Sequence, residues 1–220
     1  CRLVRFAAAW SLLFGHEIWQ VWYDYRPGRL FRPGLSLEIL CVESENPKGI
    51  VQISHGMAEN KEITEKDADY EAFKEGLLYV NQSLAKQIAG DGEGCTRLFE
   101  VHVAGADSKE NAKILSKSVV TSSLTKAAIY GKDANWGRIL CAMGYSGGEF
   151  EVSKVKIELQ AKGMSLVVAE AGRGIGFDEE YAKQLLLHKY IKIIITLEDG
   201  DSKAKAWGCD LSYDYVKNNQ

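Results

Sequence analysis

The sequence predicts a layered α/β fold of the α+β kind, preceded by a stretch of different character. Two observations carry this. From Glu59 onward, apolar residues recur at steps of three and four in some stretches and at every second position in others. Those are the periods of a half-buried helix and a half-buried strand. Turn-forming strings separate these stretches, which alternate without a strict repeat. At 220 residues the chain can hold one sizeable core, or one domain with an appendage.

Residues 1–35 carry arginine but no lysine and are dense in Trp, Tyr and Phe. They follow neither period cleanly, and Pro27-Gly28 and Pro33-Gly34 interrupt them, so no element is assigned there. Residues 36–58 read as a strand, a turn at Pro47, an apolar strand and a tight turn at Gly56. Tyr70, Phe73, Leu77, Val80, Leu84 and Ile88 then form one apolar face of a long helix, with Gly90 at its carboxyl end. Phe99, Val101 and Val103 alternate with Glu100 and His102, which predicts a half-buried strand. Asp107 and Glu110 have the spacing of a capping box, opening a helix with Ala112, Leu115 and Val119 on one face. Val155, Ile157 and Leu159 alternate with Lys156, Glu158 and Gln160 as a further strand. Phe177-Asp178 opens a helix through Leu187. Ile191, Ile193, Ile195 and Leu197 make the next strand, and an Asp199-Gly200-Asp201 turn leads into a last strand through Trp207.

Composition narrows the function classes. A net charge of -3 gives no reason to expect nucleic acid or an anionic membrane as partner. Five widely spaced cysteines make neither a disulfide framework nor a zinc site, and no metal is expected. They read as reduced thiols of a cytoplasmic protein. The apolar run over residues 7–14 is interrupted by His16 and Glu17 and is far short of the ~20 residues that span a bilayer. The chain begins at Cys1, which reads as a fragment, a processed product or an incomplete reading frame.

Three glycine-centred strings stand out: Asp91-Gly92-Glu93-Gly94-Cys95-Thr96-Arg97-Leu98, Asp133-Ala134-Asn135-Trp136-Gly137-Arg138-Ile139 and Ala206-Trp207-Gly208-Cys209-Asp210-Leu211. A glutamate between two glycines can bring its carboxylate to a ligand, because the backbone there has little bulk. With Gly56-Met57-Ala58, Ser122 to Ile129 and Ser146-Gly147, these strings occur in the order seen in the ornithine acetyltransferase (glutamate N-acetyltransferase) family of arginine biosynthesis. Residues 56–219 resemble the β chain of that family. The resemblance implies its β-chain fold over residues 59–220, with residues 1–58 as an unmatched extension. It implies acetyl transfer from N-acetylornithine to glutamate, with acetyl-CoA as an alternative donor in some members and no cofactor or metal. Family members are made as a precursor that cuts itself before a threonine, the nucleophile. The implied partner is the α chain of the same precursor, in a heterotetramer. By resemblance Glu93 matches a substrate-binding glutamate, suited to a cationic amine. Asn219 matches the asparagine of the family's carboxyl-terminal tail. Trp136 and Arg138 read as structural, the latter satisfying a carboxylate or carbonyls, and Trp207 and Cys209 as core.

The region ahead of Gly56 departs from that pattern. The family's β chain opens with the threonine and then a Gly-Asp-Thr-Ser-Thr-Asn-Asp string, whereas the first threonine here is Thr64. No catalytic residue is therefore assigned in this chain, and an inactive relative of the family is one alternative. Residues 46–59 are instead similar to the early strand of lysophospholipase-like α/β-hydrolases. Gly144-Tyr145-Ser146-Gly147-Gly148 also has the Gly-x-Ser-x-Gly spacing of a nucleophile elbow. That elbow needs a strand before the serine and a helix after it. Strand-like residues 152–159 follow instead, so a serine hydrolase using Ser146 is the weaker alternative. Gly172-Arg173-Gly174-Ile175-Gly176 lacks the spacing of a dinucleotide loop and reads as a turn.

Overall fold

A computed structural model describes residues 63–218 and, ahead of them, the backbone of four strands. The chain divides into two compact units, residues 1–85 and 86–220, and the division falls inside one helix. In the first unit β1 (Arg5–Leu13), β2 (His16–Asp24), β3 (Leu37–Val42) and β4 (Gly49–Ile53) pair in sequence order as an antiparallel sheet. Although residues 1–35 follow no clean period, β1 and β2 pair in register, with Trp10 opposite Trp19. The aromatic and β-branched residues that blur the periodicity are also those with strand propensity. The expected turn at Gly56 lies outside the described residues. Helix α1 (Ala68–Gly90) follows, and Val80 and Leu84 of its apolar face are buried.

The second unit is built on a six-stranded mixed sheet. Its strands are β5 (Leu98–Ala106), β6 (Lys156–Ala161), β7 (Met164–Glu170), β8 (Arg173–Gly174), β9 (Tyr190–Thr196) and β10 (Ser202–Cys209). They lie in the order β10-β5-β9-β6-β7-β8, and β5 and β9 run parallel while the other pairs are antiparallel. Helices α2 (Lys109–Thr121), α3 (Ser123–Gly131) and α4 (Trp136–Gly144) fall between β5 and β6, α5 (Glu179–Leu186) precedes β9, and the short α6 (Tyr213–Asn218) follows β10.

One face of the sheet is the core. Phe99, Val101, Val103, Ile157, Leu159, Ile191, Ile193 and Ile195 are all buried, and α2 packs over β5 and β10 with Ala112, Leu115 and Val119 inward. The capping box expected at Asp107 and Glu110 does not form, and the N-cap stands one residue on. Ser108 is the N-cap, its extended backbone letting Oγ accept the Asn111 N–H. Asp107 instead accepts from Asn111 Nδ2 at 2.8 Å. Trp136 packs at the edge of the core, and Arg138 donates to the Leu124 carbonyl at 3.1 Å. The glycine string at 172–176 contains β8, which pairs back onto β7.

The opposite face is not simply solvated. Glu100, expected outward, is 2% exposed. Its carboxylate accepts from Tyr190 Oη, from Trp207 Nε1 at 2.9 Å and from Lys205 Nζ at 3.1 Å. Lys86 lies over the Trp207 and Tyr190 rings, 5.5 and 6.0 Å from their centroids. Trp207 and Cys209 are thus not core residues. They are half-buried on β10, an edge strand, and Trp207 serves the carboxylate on the second face. Burial opposes ionisation of Glu100, but its three donors and the Lys205 charge outweigh it and hold the pKa down to about 2. Burial and the Glu100 charge push the Tyr190 hydroxyl up. Burial, then Lys205, lowers the pKa of the nearby His102, whose buried Nε2 has no hydrogen-bond partner.

Candidate functional site

The loop that joins α1 to β5 is the Asp-Gly-Glu-Gly string. Asp91 N–H donates to the Gln87 carbonyl at 2.9 Å, which closes the helix. Cys95 N–H donates to the Gly92 carbonyl at 2.9 Å, making a tight turn over residues 92–95. Glu93 is exposed at the tip of that turn. Both flanking glycines are closely packed, and Gly94 is also held by its backbone. A Cβ on Gly92 would stand 2.6 Å from Cys209 Sγ. Gly94 has φ +66°, and a Cβ there would stand 2.7 Å from both Ser212 Oγ and Tyr215 N.

The loop is fastened to the segment that follows β10. Asp210 is 3% exposed and its carboxylate accepts four donors. Oδ1 takes the Thr96 N–H at 2.8 Å and the Arg97 N–H at 3.0 Å. Oδ2 takes the Thr96 hydroxyl, and Arg97 Nη1 at 3.5 Å. The Asp210 N–H donates to the Arg97 carbonyl at 3.1 Å. Ser212 makes a second fastening: Oγ donates to the Gly94 carbonyl at 2.7 Å and accepts the Tyr215 N–H at 3.2 Å, capping α6. Leu211 N–H reaches the Lys126 carbonyl at 3.3 Å, and Tyr213 meets Tyr130 edge-on with ring centroids 5.6 Å apart, so α3 joins the assembly.

Cys95 and Cys209 are both free and half-buried behind the loop. Burial, then Cys209 and Asp210 nearby, pushes the Cys95 thiol up to about 11, so it is a packing group rather than a nucleophile. Ser146 follows α4, not a strand, and its Oγ accepts the Gly148 N–H at 2.9 Å. That is the reverse of the setting a nucleophile elbow needs. Among the described residues no cluster of His, Cys, Asp and Glu could hold a metal, and no helix is long and apolar enough to cross a membrane.

Of the two residues singled out from sequence, Glu93 is placed as above, and Asn219, the residue after α6, lies outside the described residues. Asp210 and Ser212 were not singled out. Asp210 stands in one of the three strings, and an aspartate followed two residues later by a serine just ahead of a short helix was the available signal.

A six-stranded mixed sheet with helices on its core face and a glutamate turn at one end makes a layered α/β domain. The chain belongs to the ArgJ family, whose description matches residues 49–220. It is 49% identical over 176 residues to the arginine biosynthesis bifunctional protein ArgJ of Caldanaerobacter subterraneus subsp. tengcongensis, covering 80% of this chain and 43% of that one. It is 48% identical over 167 residues to the arginine biosynthesis bifunctional protein ArgJ 1 of Clostridium acetobutylicum, covering 76% and 41%. The crystal structure of the arginine biosynthesis bifunctional protein ArgJ from Bacillus halodurans superposes with a TM-score of 0.69 at 44% identity, over 74% of this chain and 76% of that one. The chain spans less than half the length of the curated relatives it matches.

Proposed function

We propose that this chain supplies the β-chain share of an acetyl transfer from N-acetylornithine to glutamate in arginine biosynthesis, with acetyl-CoA as a second possible donor. The observation that carries the reading is the Glu93 turn, an exposed carboxylate on a loop fastened to a buried aspartate in a chain of the ArgJ family. N-acetylornithine carries its positive charge on a side-chain amine, and a held carboxylate is the group to receive it. Asn219 provides a second contact. In this reading the residues that hold the substrate fall within residues 59–220.

The chemistry is covalent catalysis. A threonine hydroxyl attacks the acetyl carbonyl, its proton passing to the threonine's own α-amine. The α-amine passes that proton to the departing nitrogen, the C–N bond breaks and ornithine leaves. The amine of glutamate then attacks the acyl ester, and the C–O bond breaks to restore the hydroxyl. In this reading the threonine is exposed by self-cleavage of the precursor, and no residue of the 220 here is assigned to it, the first threonine being Thr64. The α chain, in a cytoplasmic heterotetramer, completes an oxyanion hole. Neither step needs a metal or a cofactor.

The test is to produce the full chain with an ArgJ α chain and to titrate it with N-acetylornithine by calorimetry, because no nucleophile is assigned in this chain and turnover is not the readout. Binding that weakens about tenfold or more on Glu93→Gln supports the reading. No binding of N-acetylornithine, or binding that Glu93→Gln leaves unchanged, overturns it.

A further inference from the structure

The Glu93 turn has little regular structure of its own. Its position is set by what grips the residues just past it. Asp210 takes the amides of Thr96 and Arg97, three and four residues beyond Glu93. Ser212 takes the carbonyl of Gly94, the next residue. A carboxylate as buried as Asp210 is costly unless its lone pairs are filled, and both oxygens here are engaged twice. It therefore has no lone pair left for a ligand. It acts on the loop.

We infer that Asp210 is a positioning residue: it fixes where the Glu93 carboxylate stands, and so sets the preference of the site for a ligand with a cationic side-chain amine. The inference rests on the functional reading above, which gives Glu93 its role. A charge-assisted hydrogen bond is steep in distance and angle, so a turn that drifts by about an ångström forfeits most of it. Asp210→Asn is close in shape but places an amide where one carboxylate oxygen was, so one pair of loop donors loses its acceptor. Ser212→Ala removes only the contact to Gly94 and the cap of α6.

The experiment is a double-mutant cycle on the full 220-residue chain, alone and with the α chain, read by calorimetric titration of ornithine and of norvaline, its analogue without the side-chain amine. Asp210→Asn is expected to weaken ornithine about tenfold and norvaline by less than about twofold. In the Glu93→Gln background the same substitution is expected to change ornithine by less than about twofold. Ser212→Ala, expected to cost about threefold and again only with Glu93 present, serves if Asp210→Asn fails to fold. Equal losses in both backgrounds, or for both ligands, overturn the inference and leave the functional reading intact. No ornithine binding by the unsubstituted chain overturns both together.

Discussion

The two faces of the second unit's sheet are made by alternate residues of the same strands, yet they are held by different forces. On β5, Phe99, Val101 and Val103 are sealed against the helices, while Glu100 and His102 point the other way. The first face needs only apolar volume, and its stabilisation is spread over many small contacts. The second concentrates its stabilisation in one carboxylate with three donors, each dependent on direction. The difference teaches that a strand's alternation reports which residues face the core, not which are buried.

The largest test of that comparison is on the core face. Ile193 lies on β9 between β5 and β6 and is fully buried. Ile193→Ala is expected to cost about 2–5 kcal/mol in urea unfolding, the lost transfer plus the cavity left behind. A loss no larger than that of a surface substitution would show that apolar packing is not what holds the core face.

Next comes Glu100→Gln, with an expected cost of about 2 kcal/mol near neutral pH, since hydrogen bonds to a charged group are lost or weakened. The pH dependence sharpens this. A depressed carboxyl pKa contributes stability that is fully present above its unfolded value, 4.5, and is lost as pH falls through about 2. The contribution is on the order of 3 kcal/mol. Unfolding curves of the variant should therefore lose less stability over that acid window than the unsubstituted chain does. Parallel curves would show that the carboxylate network is not what holds the second face.

The smallest effect belongs to His102. Its pKa is lowered by burial and then by Lys205, so protonation favours the unfolded chain and stability declines as pH falls below 6.5. Replacing it by asparagine should flatten the stability profile just below that pH while leaving the profile above it nearly unchanged. Thermal unfolding across that window reads the change, and an unaltered slope would exclude His102 as its source.

Much of this was legible in the sequence. The core face was written in the alternation of Phe99, Val101, Val103 and of Ile191, Ile193, Ile195, because a half-buried strand shows its period locally. Glu93 stood out because glycines on both sides are a local signature. What was not legible was long-range pairing. Glu100 reads as outward until β9 brings Tyr190 and β10 brings Trp207 to it. Trp207 reads as core by type, but Ala204 and Ala206 of the same strand take the core face and its register opposite Glu100 puts it on the other. Asp210 looks like any polar residue at the end of a strand until the loop it holds is seen across the sheet. The N-cap stands one residue on because Asp107 and Ser108 are both competent caps, and backbone geometry chose between them.

The fastening of the Glu93 turn has a temporal side. Thr96 and Asp210 are 114 residues apart in sequence. On the ribosome α1, the turn and β5 all emerge long before the segment that must grip them, and such distant pairings are the late, slow ones in folding. The loop is thus the last feature of this unit to be set, after the helices of the core have chain enough to pack. A nascent chain that has emerged through β9 but not as far as Asp210 holds the residues of its hydrophobic interior and still has no organised ligand loop, so competence arrives late rather than by degrees.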